Sequence, residues 1–458
     1  MSINSFYDMA DASACEYLRS FNAERKRVAC VVTFGCQQNE ADSERIRGML
    51  ADLGFSISDT PDEADLLIFN TCAIRAHAED KVLSQLGGYK AKKSATDDMI
   101  IGICGCMAAE RSTVDRIKTK FHYVDFTLEP NSQSLLPSLL RDAIESKRRG
   151  FVIGVDDGSI TEDIPVLRKN PFSAWVSIMY GCNNFCTYCV VPYVRGRERS
   201  RRSEDILKEC QELVLSGVKE ITLLGQNVNS YCSDIGFPEL ISKIAEIDGD
   251  FTIRFMTSHP KDVSDALVFA MKKYTPKIAP YFHLPLQSGS NKILKAMNRT
   301  YDRDGFFDTV ARLRAAVPDI VLSTDIIVGF PGESEEDFED TLDVVRRVRF
   351  DSVYGFIYSE REGTRAAKLD GSIPRAVRSD RLTRLFAEQE PIARERAAAY
   401  LGRTERVLVR SVSEAGIADS VTKSGKLVRF TAGGALPGDT VEVKITAAAS
   451  YELTAERV

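Results

Sequence analysis

Residues 181–196 read "GCNNFCTYCVVPYVRG" and place Cys182, Cys186 and Cys189 in a C-x3-C-x2-C spacing. Thiols this close bind metal or pair with one another, so a zinc site, a disulfide with one thiol left over and an iron–sulfur cluster are the chemistries open to them. A structural zinc site takes four protein ligands, commonly as two pairs, and no fourth cysteine or histidine stands nearby in the chain. Three thiolates on a cluster of four irons leave one iron open to an outside ligand. A second set is spread out: Cys36, Cys72 and Cys106 each lie just past a strand-like run, "VACVVTF", "ADLLIFN" and "DDMIIGI". Loops leaving the carboxyl edge of a parallel sheet converge, and open α/β sheets bind ligands there. Three cysteines far apart in sequence can therefore meet.

The elements that must position these residues follow from hydrophobic patterning. Over 27–147, short apolar runs alternate with helix-like stretches such as "DSERIRGMLADLG", which predicts a parallel sheet covered by helices. The acidic, glycine-containing "FVIGVDDGSITEDIP" (151–165) reads as a linker. A second α/β run over 168–400 carries six strand candidates, "SAWVSIM", "EITLLG", "FTIRFMT", "YFHLPLQ", "VLSTDIIVGF" and "SVYGFIYS". Six such units predict a partial (β/α)6 barrel whose chemistry lies at the carboxyl ends of its strands, and "GCNNFCTYC" follows the first of them. Residues 401–458 are short β-rich pieces, the pattern of a small antiparallel barrel similar to oligonucleotide-binding barrels.

Composition sets the outer bounds. At 458 residues, with 44% hydrophobic and 28% charged content, the chain is a globular protein of several domains. No apolar run approaches the roughly 20 residues of a membrane helix, and "MSINSFYDMADASACEYLRS" does not read as a secretory signal. A cytoplasmic location follows, where eleven cysteines serve as ligands or packed thiols rather than disulfides. Cys15, Cys30, Cys104, Cys210 and Cys232 are read as packed thiols, and His77, His122, His259 and His283 as structural histidines. The net charge of -6 disfavours a polyanion partner on average, but "RGRERSRR" (195–202) is locally basic.

With its aromatic before the last cysteine, "CNNFCTYC" resembles the signature of the radical S-adenosylmethionine enzymes. Together with "TFGCQQNEADSE", "NTCAIR", "GICGCMA", "LLGQNVNSY", "LPLQSGSNKILKAMNR" and "DIIVGFPGESEEDF", it extends the resemblance over nearly the whole chain, to the methylthiotransferases of that superfamily. The resemblance implies an N-terminal cluster domain, a radical core and a C-terminal TRAM barrel. It implies two [4Fe-4S] clusters, one on Cys182, Cys186 and Cys189 that binds S-adenosylmethionine, and an auxiliary one on Cys36, Cys72 and Cys106. Cosubstrate contacts fall on Gly225, Gln226 and Asn227, on Gln287 and Ser288, and on Val328, Gly329, Pro331 and Gly332, with no catalytic residue beyond the cluster ligands. At "YSEREGTRA" (358–366), where the resemblance leads one to expect more proline, Arg361 and Arg365 face the site or the RNA.

"NTCAIR" and "LLGQNVNSY" resemble the branch that acts on N6-dimethylallyladenosine at position 37 of the tRNA anticodon loop, and Arg195, Arg197, Arg199 and Arg201 would meet that RNA. The activity so implied places a CH3S group on C2 of the base. One S-adenosylmethionine serves as methyl donor and another as the source of the 5′-deoxyadenosyl radical. A radical is needed because the C2 hydrogen is not acidic and that carbon offers no leaving group. An electron donor such as flavodoxin or ferredoxin and a monomeric state complete the expectation.

Overall fold

The computed structural model describes residues 3–72, 76–96, 98–155 and 158–458. Ala73, Ile74 and Arg75 of "NTCAIR" and the side chain of His77 lie outside the described residues. The chain divides into two compact units. The first is Met1–Asn170 with Met179–Asn183 and Val190–Arg201; the second is Pro171–Ile178, Asn184–Cys189 and Arg202–Val458.

The first unit is built on six parallel strands in the order Ser56–Ser58, Val28–Phe34, Leu66–Thr71, Ile100–Gly105, Phe126–Leu128, Gly150–Val152. Leu66–Thr71 and Ile100–Gly105 are buried at every position, as central strands covered on both faces must be. One face packs on Leu18, Ile46, Met49, Leu50 and Leu140 of helices Ala12–Glu24, Gln37–Asp52 and Leu136–Glu145. The other packs on Val82, Leu86 and Ile117 of helices Ala76–Ala95 and Arg111–Lys120. Chain order reverses between Val28–Phe34 and Leu66–Thr71, and the crevice beyond such a reversal is the ligand position of doubly wound sheets.

The linker expected at 151–165 is corrected. Gly150–Val152 is an edge strand of this sheet, and Ile160–Glu162 pairs in parallel with Ile3–Ser5. Both pieces are only three residues long and mostly half-buried, so they show no apolar run. Ahead of residue 27, helix Ala12–Glu24 is capped by Asp11, whose carboxylate accepts from the Ser13 and Ala14 amides, and it buries Ala14, Cys15, Leu18 and Asn22.

In the second unit six strands form two parallel sheets of three, ordered Thr252–Phe255, Glu220–Leu224, Ser173–Ser177 and Tyr281–His283, Val321–Val328, Ser352–Ile357. A single bridge, Ile253 to Ile278, links the first sheet to the segment entering the second. Ser173–Ser177 and Ser352–Ile357 remain edges, as in a partial barrel. Strand Tyr281–His283 is short because Pro285 cannot donate to a ladder. Strands Thr404–Val412, Ile417–Thr422, Leu427–Thr431, Thr440–Ala448 and Glu452–Arg457 close a barrel. It is not wholly antiparallel as expected: Leu427–Thr431 runs parallel to Glu452–Arg457, the closing contact between strands that are not joined by a hairpin. Among the described residues no helix is long and apolar enough to cross a membrane.

Candidate active site

Sheet register brings the spread cysteines together. Phe34 pairs with Thr71, and Thr71 with Gly105, so Cys36, Cys72 and Cys106 leave three neighbouring strands at the same edge. The turns are tightly specified. A Cβ on Gly35 would come within 2.4 Å of Asn39 Oδ1, and one on Gly105, which sits at φ 89°, within 2.4 Å of the Thr71 carbonyl. Beneath the turns, Asn39 Nδ2 donates to Asn70 Oδ1 and the Thr71 carbonyl, each at 3.1 Å, and Asn70 Nδ2 donates to the Asn39 carbonyl at 2.8 Å and Ser43 Oγ at 2.9 Å. Both asparagines are fully buried, so each amide is satisfied by the other's segment.

Burial pushes the Cys106 thiol up to about 11, opposed by the Arg195 guanidinium, while negative charge at Cys72 and Cys36 raises it further. Among the described residues no three cysteine, histidine or carboxylate side chains share the spacing of a single metal ion. Ligands of a four-iron cube each take a different corner and stand farther apart. Cys36, Cys72 and Cys106 share one sheet edge, which offers three thiols to a common ligand. Cys104 points elsewhere: it packs with Ile68, Ile100 and Phe126 in the core, and burial drives its thiol far above the usual range.

The compact set sits on one loop. Cys189 N–H donates to the Cys186 carbonyl at 3.0 Å, and Cys182 N–H to the Gly196 carbonyl at 3.2 Å. Gly181 at φ 74° allows that approach, since a Cβ there would lie 2.1 Å from the Arg197 carbonyl. Arg299 donates from one Nη to Cys186 Sγ at 3.4 Å and from the other to the Pro285 carbonyl at 2.9 Å, with Tyr301 beside it. No disulfide involves any of the eleven cysteines.

The expected cosubstrate residues gather at the carboxyl ends of the second unit's strands. Gly225, Gln226 and Asn227 follow strand Glu220–Leu224. Gln226 Oε1 and Asn227 Oδ1 are buried without a hydrogen-bond partner, as are Ser258 Oγ and Tyr358 Oη at two other strand ends. Orphaned polar atoms beyond strand ends suit a polar ligand such as S-adenosylmethionine. Ser258 and Tyr358 were missed because isolated hydroxyls carry no spacing signal. Gly329 and Gly332 adopt φ 73° and 78° after Val328, with Pro331 between them. Gly329 N–H is held by Glu333 Oε2 at 2.7 Å, itself 2.8 Å from an Arg381 Nη. Burial first, countered by that amide and Arg381, pushes the Glu333 carboxyl up to about 6. Gln287 joins the sheet through its backbone at φ 69°, and Ser288 is fully buried with its Oγ 3.5 Å from Thr341 Oγ1.

The arginine run is corrected most. Arg195, Arg199 and Arg201 are buried rather than offered to phosphate. Arg195 bonds Cys106 Sγ at 3.1 Å and Asp42 Oδ2 at 2.7 Å, while Arg201 grips Glu162 through two nitrogens at 2.6 and 2.7 Å. The fold supplies the partners: Arg199 lies on a short ladder that pairs Tyr180 with Arg199 and Met179 with Ser200, its Nη donates to the Arg195 carbonyl, and Arg195 and Arg201 each meet a buried carboxylate. Only Arg197 of the four is exposed. Cys232 is likewise exposed, in a tight turn bridged to Gly236, not packed. His259 is buried, its Nδ1 accepts from the Lys261 amide at 3.2 Å and its own amide donates to Asn229 Oδ1 at 2.9 Å, and burial, then Arg299 and Lys261, holds its ring down to about 2, so it is neutral. Arg365 is exposed and Arg361 half-buried.

Residues 176–345 match the model of the radical SAM superfamily, and residues 28–129 that of the uncharacterized protein family UPF0004. The tRNA-2-methylthio-N(6)-dimethylallyladenosine synthase of Acetivibrio thermocellus is 46% identical over 443 residues, covering 95% of this chain and 92% of the relative. Its counterpart from Alkaliphilus oremlandii is 44% identical over 447 residues, covering 96% and 95%. Among solved structures, the radical S-adenosylmethionine methyltransferase TsrM from Kitasatospora setae superposes with a TM-score of 0.53 at 13% identity over 75% of each chain. The cobalamin-dependent S-adenosylmethionine radical enzyme OxsB gives 0.50 at 13% identity over 81% of this chain and 57% of that one, so these two share the fold. The strand-end cysteines, the C-x3-C-x2-C loop and an identity near one half along the chain agree: it belongs to the radical SAM superfamily and, within it, to the family of tRNA-2-methylthio-N(6)-dimethylallyladenosine synthases.

Proposed function

We propose that this enzyme transfers a CH3S group to C2 of N6-dimethylallyladenosine at position 37 of tRNA, consuming one S-adenosylmethionine as methyl donor and a second as radical source. The observation that carries the reading is the coexistence of two sets of three cysteines, one at a sheet crevice and one on a barrel loop. Cys182, Cys186 and Cys189 hold the radical-core cluster, and Cys36, Cys72 and Cys106 hold an auxiliary cluster. When bound, the first supplies the electron that cleaves the cosubstrate and the second keeps the sulfur to be transferred.

The chain's own residues position the reactants. Gly225, Gln226, Asn227 and the Val328–Gly332 turn seat the cosubstrate, and the Glu333–Arg381 pair braces that turn. Within the partial barrel, Gly355 faces the side chains of Leu382, Leu385 and Phe386, so Tyr354 and Phe356 turn to the opposite face of the edge strand, where they are 51% and 45% exposed. Exposed aromatics at an open edge suit a splayed loop base with an apolar N6 group, whose burial is worth about 0.8 kcal/mol per CH2. Functional boundaries at 27–147, 168–400 and 401–458, a flavodoxin or ferredoxin donor, a cytoplasmic monomer and an RNA contact at Arg197 belong to the same reading. Nucleoside mass spectrometry of dimethylallylated tRNA, incubated with reconstituted enzyme, reductant, sulfide and S-adenosylmethionine, tests it. The methylthio product is expected there and not on unmodified adenosine-37; a product confined to threonylcarbamoyladenosine overturns the substrate.

A further inference from the structure

Arg195 lies six residues beyond Cys189, yet its side chain ends at the other cysteine set. Nε donates to Cys106 Sγ at 3.1 Å, one Nη to Asp42 Oδ2 at 2.7 Å, and its carbonyl accepts from Asn131 Nδ2 at 3.2 Å. The side chain is 4% exposed and that of Asp42 5%. Val190 and Val194 pack directly on Cys106 and the adjoining Ala109. A buried guanidinium needs a counter-charge, and Asp42 alone supplies one. The bond to sulfur is therefore additional to neutralisation, and its fork geometry fixes where the sulfur stands.

From this arrangement we infer that Arg195 is a positioning residue for the auxiliary site: it holds the Cys106 thiolate in its cluster-binding place and sets the positive charge beside the cluster. The inference rests on the reading that Cys36, Cys72 and Cys106 hold an auxiliary cluster. Hydrogen bonds to cluster sulfurs and nearby charge set iron–sulfur potentials, and a cation favours the more negative, reduced form. The segment that directly follows the radical-core cysteines thus organises the second site as well.

The test uses the full chain carrying Cys182→Ala, Cys186→Ala and Cys189→Ala, reconstituted anaerobically, so that only the auxiliary site binds iron. Three variants are compared: Arg195→Lys, Arg195→Met, and Arg195→Met with Asp42→Asn, which removes both charges and leaves no carboxylate stranded. Readouts are iron and sulfide per chain, thermal midpoint, and the reduction potential from titration followed by electron paramagnetic resonance. In the double variant the fold is expected to persist while reduction becomes about tenfold less favourable, roughly 59 mV lower, or while iron binding is lost at an unchanged thermal midpoint. Arg195→Lys keeps the charge without the fork and should fall between. Wild-type iron content and potential in both the double variant and Arg195→Lys would overturn the inference and leave Arg195 as a mere partner for Asp42. No iron in the background protein with Arg195 intact would instead overturn the auxiliary-cluster reading itself.

Discussion

The two cysteine sets are brought together by opposite means. Cys182, Cys186 and Cys189 ride on a single loop, and local backbone contacts such as Cys189 N–H to the Cys186 carbonyl shape it. Cys36, Cys72 and Cys106 are separated along the chain and are gathered by strand register, by Gly35 and Gly105, and by a buried asparagine pair. One device recurs: an arginine donates to one sulfur of each set, half-buried Arg299 to Cys186 and buried Arg195 to Cys106. The difference implies that the loop set tolerates distant damage, whereas the sheet set depends on its scaffold.

The largest effects come from the cysteines. Alanine at Cys182, Cys186 or Cys189 is expected to abolish both reductive cleavage of S-adenosylmethionine and tRNA modification. Alanine at Cys36, Cys72 or Cys106 should leave cleavage largely intact and stop methylthiolation, with about half the iron retained. Measuring 5′-deoxyadenosine and methylthio nucleoside in the same reactions separates the two sites; equal loss of both products from either set would erase the comparison.

Scaffold dependence is tested next at Gly105. An alanine there must adopt φ 89° and place Cβ against the Asn70 side chain and the Thr71 backbone. Strain and overlap of roughly 1–3 kcal/mol each predict a loss of about 4 kcal/mol, with loss of auxiliary iron and no comparable change at the loop set. Asn70→Ala leaves the Asn39 and Ser43 groups short of partners and should cost about 1–3 kcal/mol. Denaturant unfolding checks both, and an Asn70→Ala protein with wild-type stability would argue that the asparagine pair is incidental.

Which parts of this were legible in the sequence follows from the same contrast. The compact spacing of the loop set is visible by inspection, and the sheet set is visible because apolar runs mark the strand ends before Cys36, Cys72 and Cys106. Asn39, Asp42 and Asn70 were not legible, since a helix such as Gln37–Asp52 that turns polar residues inward toward a site lacks the usual apolar stripe. Arg195 and Arg201 were misread for a related reason: a run of cations looks solvated until the topology supplies Asp42 and Glu162. The strands Gly150–Val152 and Ile160–Glu162 are too short for a period to show.

A pH dependence sharpens the picture of the barrel site. The folded Glu333 carboxyl, raised from 4.5 to about 6, binds its proton more tightly than the unfolded chain does. Stability from this group is therefore greatest below about 4.5 and falls as pH rises to about 6, by roughly 2 kcal/mol at 1.36 kcal/mol per unit. Glu333→Gln should flatten that part of the stability curve, and an unchanged slope between the two proteins would show that Arg381 already compensates the charge.

The smallest effect is expected on the exposed side of the segment that serves both sites. Arg197 is exposed, while Arg195, Arg199 and Arg201 are buried. Replacing Arg197 by alanine should leave the thermal midpoint and both iron contents unchanged and weaken tRNA binding modestly. If it neutralises one phosphate, the slope of log affinity against log salt should shrink by about 1. Arg201→Ala should behave oppositely, lowering stability by about 3–5 kcal/mol through the stranded Glu162 while changing the salt slope little. Affinity measured from low to moderate salt distinguishes them, and a salt slope that responds to Arg201→Ala but not to Arg197→Ala would place the RNA on the opposite side of this segment.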